Sequence, residues 1–173
     1  MSHDIIVRLA RADERATVRE LTLRAYAEYA DVMEPAAWDG LAAAVHAALD
    51  AEDADPRAEC IVADRAGRLV GSVMLYPATA DAYGGATART AAPELRLLAV
   101  PPEARGLGVG RLLIEACARR AREMGARELG LHTSRSMAVA RRLYAAAGFE
   151  RAPERDFRPE GAELVEGYRL RLQ

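Results

Sequence analysis

A glycine-rich turn near the middle of the chain carries the clearest chemical signal. The stretch VPPEARGLGVGRLLIEACARRA, residues 100–121, places Gly106, Gly108 and Gly110 on alternate positions before a run with helical spacing. Glycine lets backbone amides approach a ligand closely, and a helix N-terminus attracts anions through its dipole. Together with Arg105, this turn is typical of a phosphate or pyrophosphate site. The alternative is that the glycines only let the chain turn sharply into a packed helix.

Two common phosphate-binding motifs do not fit this turn. A dinucleotide fingerprint needs G-x-G-x-x-G, but Arg111 stands at the third glycine position counted from Gly106, and the motif lies late in the chain. A P-loop needs a lysine, and the chain contains none. The remaining pattern of strand, R-G-L-G-V-G and helix suits a pyrophosphate.

Hydrophobic periodicity predicts the elements that must position this turn. It indicates strands at Ile5–Leu9, CIVAD, RLVGSVMLYP, ELRLLAV, ARELGLHT and AELVEGYRLRL. It also indicates four helices. The first is capped by Asp13 and runs to about Ala30, and the second follows Pro35. The third runs from Gly108 to about Met124, and the fourth covers about 136–147 and ends before Gly148. The order is mixed α/β, with antiparallel hairpins around one strand–helix–strand crossover. We expect one domain over residues 1–173.

The composition limits the classes of function. The net charge is −2 and the 24 positive side chains are scattered, which does not favour nucleic-acid binding. No apolar run reaches the roughly 20 residues of a membrane span, and no signal peptide is seen, so we expect a cytoplasmic protein. Cys60 and Cys117 are expected to be reduced core thiols, and no metal-ligand cluster stands out. The absence of Lys and Asn fits a GC-rich bacterial genome.

The segment from about Glu94 to Phe157 resembles the core of the GCN5-related N-acetyltransferase superfamily, and the order of elements agrees over nearly the whole chain. The family signature is matched by Arg105, Gly108 and Gly110, with Gly106 as an extra glycine. The resemblance implies a single, mostly antiparallel central sheet of about six to seven strands, flanked by about four helices. It also implies transfer of an acetyl group from acetyl-coenzyme A (acetyl-CoA) to an amine.

In this resemblance most cofactor contacts come from the backbone. The pantetheine arm would pair with the chain near Leu98, and the pyrophosphate would meet amides of the glycine turn. The amide of Leu98 would face the acetyl carbonyl and stabilise developing negative charge. The implied cofactor-binding residues are Leu98, Ala99, Val100, Arg105, Gly106, Leu107, Gly108, Val109, Gly110 and Arg111.

Two side chains match catalytic positions of the family. Glu94 stands where some members carry a base that deprotonates the amine, directly or through water, although a solvated strand carboxylate is an equal alternative. Tyr144, in ARRLYAAAGF, matches the tyrosine that in many relatives protonates or hydrogen-bonds the departing sulfur; a core tyrosine is the alternative. His132 is expected to be structural, and His3 and His46 to lie on the surface.

One position departs from the family pattern. Relatives often carry an asparagine seven residues before the tyrosine, where its amide can bond the pantetheine arm, but this chain has Met137. Ser134 or Ser136 could replace that contact, or the contact could be missing.

The acceptor is not identified by the sequence. Its expected position involves Tyr26, Tyr29, Trp38, Tyr83 and the ERDF stretch 154–157, with core packing or a solvated turn as the alternative interpretation. A small amine, an amino acid, an antibiotic and a protein N-terminus all stay open, as does a homodimer. The leading hypothesis is direct attack by a primary amine in a ternary complex. The alternatives are a coenzyme A-binding module without catalysis and a tRNA-acetylating toxin of the same fold, which acts on aminoacyl-tRNA. The charge argues against the toxin.

Overall fold

The computed structural model describes residues 4–51, 55–80, 90–160 and 162–173. In these ranges the chain forms seven strands and four α-helices. In chain order they are β1 (Ile5–Leu9), α1 (Arg15–Ala27), α2 (Pro35–Asp50), β2 (Glu59–Arg65), β3 (Arg68–Tyr76), β4 (Glu94–Ala99), α3 (Val109–Glu123), β5 (Glu128–Ser134), α4 (Ala138–Ala146), β6 (Glu150–Arg151) and β7 (Val165–Arg171). The predicted α/β class, strand number and helix number are confirmed.

All seven strands belong to one sheet, in the order β1-β2-β3-β4-β5-β7-β6. Among the described strands, β4 and β5 are the one parallel pair, and α3 makes the crossover between them. They share a single register pair, Glu94 with Gly130, whereas β5 and β7 pair over seven positions. The two central strands therefore separate towards their carboxyl ends and open a wedge in the sheet.

A bulge in β4 accompanies this separation. Ser72 of β3 pairs with Ala99 and Met74 pairs with Arg96, so two residues of β4 face one residue of β3. Leu97 has a φ of 55°, a left-handed conformation that is rare for a branched side chain. The bulge takes Leu98 out of the regular ladder at the point where the wedge begins.

The sheet separates two apolar cores. The core against α3 includes Leu95, Leu113, Cys117, Leu131 and Tyr144. The core against α1 and α2 includes Leu21, Tyr26, Val45, Leu97 and Met137. The wedge between β4 and β5 thus lies between helices on both faces.

Local sequence signals explain most element boundaries. Pro35 begins α2 because its fixed φ suits the first helical position. Gly148, with a φ of 92°, follows the C-cap of α4 as predicted. In the β2–β3 turn, Ala66 and Gly67 both have positive φ, as a tight two-residue hairpin requires.

The predicted start of α1 is wrong. Asp13 lies within a short 3-10 turn over Ala12–Glu14 and caps no helix with its side chain. Glu14 instead accepts a bond from the Arg11 amide (2.8 Å) and is paired with Arg8. Glu14 rather than Asp13 is the N-cap residue of α1. The buried Glu14 carboxylate gains charge-assisted hydrogen bonds from Arg8, whereas Asp13 is exposed.

Other boundaries differ by a few residues. α1 ends at Ala27 and continues as a 3-10 turn over Glu28–Asp31, and α4 begins at Ala138 rather than 136. β6 was not predicted, because two residues carry no periodicity. Both cysteines are free thiols, and burial raises the pKa of Cys117 to about 12. In the described ranges, no helix is long and apolar enough to cross a membrane.

Candidate active site

The glycine turn leads directly into α3. Gly106 and Gly108 have φ values of 78° and 76°, and Gly108 is the N-cap residue of the helix. The first intrahelical bond runs from Leu112 to the carbonyl of Gly108 (3.1 Å). Helix geometry therefore leaves the preceding amides, from Val109 to Arg111, without intrahelical acceptors. These amides and the helix dipole favour the binding of an anion at this turn.

Gly110 has a packing role in addition to its amide. A Cβ at this position would lie 2.8 Å from Cδ2 of Leu143 on α4. A Cβ at Gly71 of β3 would likewise lie 2.5 Å from Val109. Two glycines thus let the first turn of α3 approach both α4 and the sheet, which fixes the direction of its amides.

A cleft of about 400 Å³ opens at the wedge between β4 and β5. Its wall is largely apolar and comes from the end of α1, the end of β4 and one face of α4. The side chains used below are Tyr26, Glu28, Tyr29, Asp31, Leu98, Val100, Arg105, Met137, Leu143 and Tyr144.

Leu98 lies at the cleft wall where the bulge has displaced it. In the described strands, the register pairs of β4 with β3 and β5 do not include Leu98. Ala99, by contrast, pairs with Ser72 and is buried in the core against α1 and α2. The segment from Leu98 to Val100 is therefore the edge that an extended ligand backbone could pair with.

Tyr144 of α4 reaches the inner end of the cleft. It is buried, and its ring packs edge-on against Phe149 at 5.8 Å. Burial raises the pKa of the Tyr144 phenol well above its ordinary value of 10, and Tyr26 and Tyr29 raise it further. The hydroxyl accordingly stays protonated at neutral pH and can act as a hydrogen-bond donor.

Met137 also lines the cleft, at the N-cap position of α4. Its sulfur accepts a hydrogen bond from the Thr133 hydroxyl at 3.4 Å. Ser136 donates instead to Glu163 at 2.7 Å, and the Ser134 carbonyl accepts from the Met137 amide. Neither serine is among the cleft-lining residues, so neither stands in for an asparagine amide here.

Glu94 is paired with His132 rather than solvated. Oε1 of Glu94 contacts Nδ1 of His132, and both side chains are buried, with exposed fractions of 3% and 4%. Nε2 of His132 lies 2.8 Å from the carbonyl of Arg155, and the ring meets Phe157 edge-on at 5.1 Å. The Glu94 side chain packs against Gly130, where an ideal Cβ would make an ordinary contact with it at 3.6 Å. Glu94 is not among the residues of the cleft wall.

Arg105 bridges the cleft entrance to α1. One guanidinium nitrogen contacts the carboxylate of Glu28, and Nε donates to the carbonyl of Val100 at 3.3 Å. Arg111 points to a separate groove and donates to Glu115 at 2.7 Å. Of the two arginines that flank the glycine turn, Arg105 therefore lies at the cleft.

The expected acceptor residues fall into four groups. Tyr26 and Tyr29 line the cleft with ring centroids 5.9 Å apart. Trp38 packs against the core of α1 and α2 and is not part of the cleft wall. Tyr83 lies outside the described residues. In the ERDF stretch every residue has a partner: Glu154 binds Arg169, Arg155 binds Glu128, Asp156 binds Arg151, and Phe157 contacts His132.

Comparison with known proteins agrees with this geometry. The model of the acetyltransferase (GNAT) family matches residues 17–149. The chain belongs to this family. Its members are acyltransferases, which agrees with an anion-binding turn beside a wedge between two parallel strands.

Solved structures of GNAT proteins share the fold. A family member from Desulfovibrio desulfuricans is 22% identical, with a TM-score of 0.67 over 98% of this chain and all of its own. The PaiA N-acetyltransferase of Thermoplasma acidophilum, solved with coenzyme A, is 16% identical, with a TM-score of 0.67 over 95% and 98%. A GNAT acetyltransferase of Brucella melitensis, solved with acetyl-CoA, is 20% identical, with a TM-score of 0.62 over 99% and 90%. The chain has no significant match among curated proteins.

Two side-chain pairings near the cleft were not predicted from the sequence. Glu28 lies in AYAEYAD, which contains no motif, and His132 was interpreted as structural. The available signal for His132 was its position on β5, which lies beside β4. It stands two residues after Gly130, the register partner of Glu94. No sequence signal connected Glu28 with Arg105.

Proposed function

We propose that this protein transfers an acetyl group from acetyl-CoA to a primary amine of a small molecule or peptide, by direct attack in a ternary complex. The observation that carries the proposal is the meeting of three features at the cleft and at its entrance, where Arg105 leads into the glycine turn. They are the amides at the start of α3, the displaced edge at Leu98, and the protonated hydroxyl of Tyr144.

The backbone would hold most of acetyl-CoA. The first amides of α3, with Gly106 to Gly108, fit the pyrophosphate, and the edge from Leu98 to Val100 fits the amides of the pantetheine arm. The apolar surfaces of Met137 and Leu143 line the same path. Acetyl-CoA supplies the thioester that the amine attacks, and every other task falls to the protein.

Polarising the acetyl carbonyl falls to the amide of Leu98. Negative charge develops on that oxygen as the amine attacks, and a fixed backbone donor stabilises it without rearrangement. The bulge at Leu97 supports this role, because it removes Leu98 from the ladder.

Tyr144 would donate a hydrogen bond to the departing sulfur. Its raised pKa makes full proton transfer to a thiolate more unfavourable than for an ordinary phenol. The proton that the nitrogen loses as the amide forms would pass by way of the Tyr144 hydroxyl to the sulfur, so that the phenol ends the step protonated. The thiol then leaves neutral.

Glu94 and His132 would together take the other proton. The acceptor arrives as an ammonium ion, and the pair would remove one proton, through water, before attack. The pair later returns that proton to solvent. Tyr26 and Tyr29 would contact the acceptor, since they line the cleft; the position of Trp38 does not support the same role.

Initial rates test the ternary complex. They should be measured over a matrix of acetyl-CoA and amine concentrations, with intact-protein mass spectrometry of enzyme incubated with acetyl-CoA alone. Intersecting reciprocal plots and an unmodified protein mass are expected. Parallel plots with an acetylated enzyme would contradict direct attack.

A further inference from the structure

Two ion pairs join α1 to the connection between β4 and α3, and they have opposite polarity. Arg24 of α1 binds Glu103 at 3.1 Å, and Glu28, which follows α1, binds Arg105. Only the second pair lies at the cleft. Its side chains are 41% and 42% exposed, so it forms where the cleft meets solvent.

Arg105 faces two anions when the cofactor is present. The guanidinium begins the glycine turn proposed to hold the pyrophosphate, yet in this structure it is paired with Glu28. An exposed ion pair is weak because water screens it, whereas a pyrophosphate at the helix N-terminus also meets backbone amides and the dipole. The pyrophosphate is therefore able to draw Arg105 away from Glu28.

A released Glu28 carboxylate would sit in an environment that suits a cation. Asp31 and Tyr29 line the same part of the cleft, and no lysine occurs in the chain. The opposing face on α4 presents the apolar side chains Val139, Ala140 and Leu143. Once Arg105 turns to the pyrophosphate, this part of the wall presents the carboxylates of Glu28 and Asp31 and the ring of Tyr29. In the described chain, no cationic residue other than Arg105 lines the cleft.

We propose that Glu28 is an acceptor-binding residue that the cofactor uncovers: the pyrophosphate takes Arg105, and Glu28 then holds a second cationic group of the acceptor. This inference rests on the proposed acetyl transfer and names the substrate class for it. The reacting nitrogen must be a neutral amine at the moment of attack. The positive charge that Glu28 binds therefore belongs to another group of the acceptor. The preferred acceptor is a primary amine that carries a further positive charge.

A matched series of acceptors tests this preference. 1,4-Diaminobutane, butylamine and 4-aminobutanoate share a four-carbon chain and a primary amine, and differ in the charge at the far end. With the native protein, kcat/KM should fall in that order, by roughly 2- to 5-fold per step. In Glu28→Gln the three acceptors should become nearly equal.

Glu28→Gln should also change acetyl-CoA binding in the opposite sense. Without a competing carboxylate, Arg105 is available to the pyrophosphate, so calorimetry should show affinity unchanged or up to about fivefold tighter. The matched control is Glu103→Gln, which breaks the neighbouring bridge and should keep both the acceptor order and the acetyl-CoA affinity.

The outcomes separate this inference from the proposed function. Acetyl transfer that ignores the terminal charge in the native protein, or that keeps its charge preference in Glu28→Gln, overturns the role of Glu28 alone. Weaker acetyl-CoA binding in a folded Glu28→Gln protein overturns the exchange of Arg105. Absence of transfer to these acceptors and to a wider panel of amines, amino acids and peptides, with acetyl-CoA still bound, overturns the acetyltransferase itself.

Discussion

Glu94 of β4 and His132 of β5 form a buried pair at the junction of the two parallel strands. Because the carbonyl of Arg155 can only accept, Nε2 of His132 must carry a hydrogen. The contact between Nδ1 and Oε1 then requires one shared proton. Arg155, Glu128 and Asp156 are among the charged neighbours of the pair.

Glu94→Gln should lower turnover chiefly at pH values below the pKa of the amine. There the acceptor is an ammonium ion, and loss of a general base typically costs about 10²- to 10⁴-fold. At high pH, free amine is plentiful and the loss should shrink. The measurement is kcat against pH for both proteins; a loss that is constant over the whole pH range would assign Glu94 to positioning.

His132→Phe serves as the partner experiment, since it keeps a ring against Phe157 but removes the contact with Glu94. If the two residues act as one unit, the double variant Glu94→Gln/His132→Phe should be hardly slower than the worse single variant. Losses that simply multiply would show that His132 acts independently.

Tyr144→Phe should reduce kcat by only about 10- to 10³-fold, at the lower end of general-acid effects. The raised pKa of the phenol limits proton transfer, and a thiolate leaves tolerably well without it. Acetyl-CoA affinity should barely change, because the ring and its packing on Phe149 remain. Full activity would make Tyr144 a core residue, and an equal loss in binding and rate would make it a ground-state contact.

Gly108→Ala should weaken acetyl-CoA binding through the backbone rather than through a clash. A Cβ at Gly108 meets no atom within 4 Å, but the φ of 76° strains any residue with a side chain. The control is Gly67→Ala in the β2–β3 turn, with a φ of 81° and equally open space. Both variants should lose similar stability in urea unfolding, yet only Gly108→Ala should lose affinity in calorimetry. Equal acetyl-CoA affinity in the two variants would show that the pyrophosphate does not bind at Gly108.

Glu14 should stabilise the fold in a pH-dependent manner. Hydrogen bonds from Arg8 and from the Arg11 backbone hold the pKa of Glu14 at about 2. A pKa lowered in the folded state contributes stability above the unfolded value of about 4.3, and that contribution is lost as the pH falls towards 2. The gap in unfolding free energy between the native protein and Glu14→Gln should therefore narrow from pH 6 to pH 3. A gap that stays constant would contradict this ion-pair account.

Local patterns predicted the scaffold because they act over short distances. Periodicity located every strand except the two-residue β6, and the glycine signature located the start of α3. The pairings of Glu94 with His132, 38 positions apart, and of Glu28 with Arg105 depend on how the strands and α1 meet. Trp38 fits helical spacing equally well whether it faces a core or a cleft, so only packing decides its place. The contact of Tyr83 with the acceptor stays a prediction, because Tyr83 lies outside the described residues.

The most direct measurement is acetyl transfer itself, followed as free thiol released from acetyl-CoA in the presence of a panel of primary amines. Mass spectrometry of the same reactions should detect the N-acetylated amine. We predict thiol release that requires both protein and amine and matches the acetylated product in amount. Tight binding of acetyl-CoA with no amine-dependent thiol from a panel of mono- and dicationic amines, amino acids and peptides would contradict the account and leave a binding protein without catalysis.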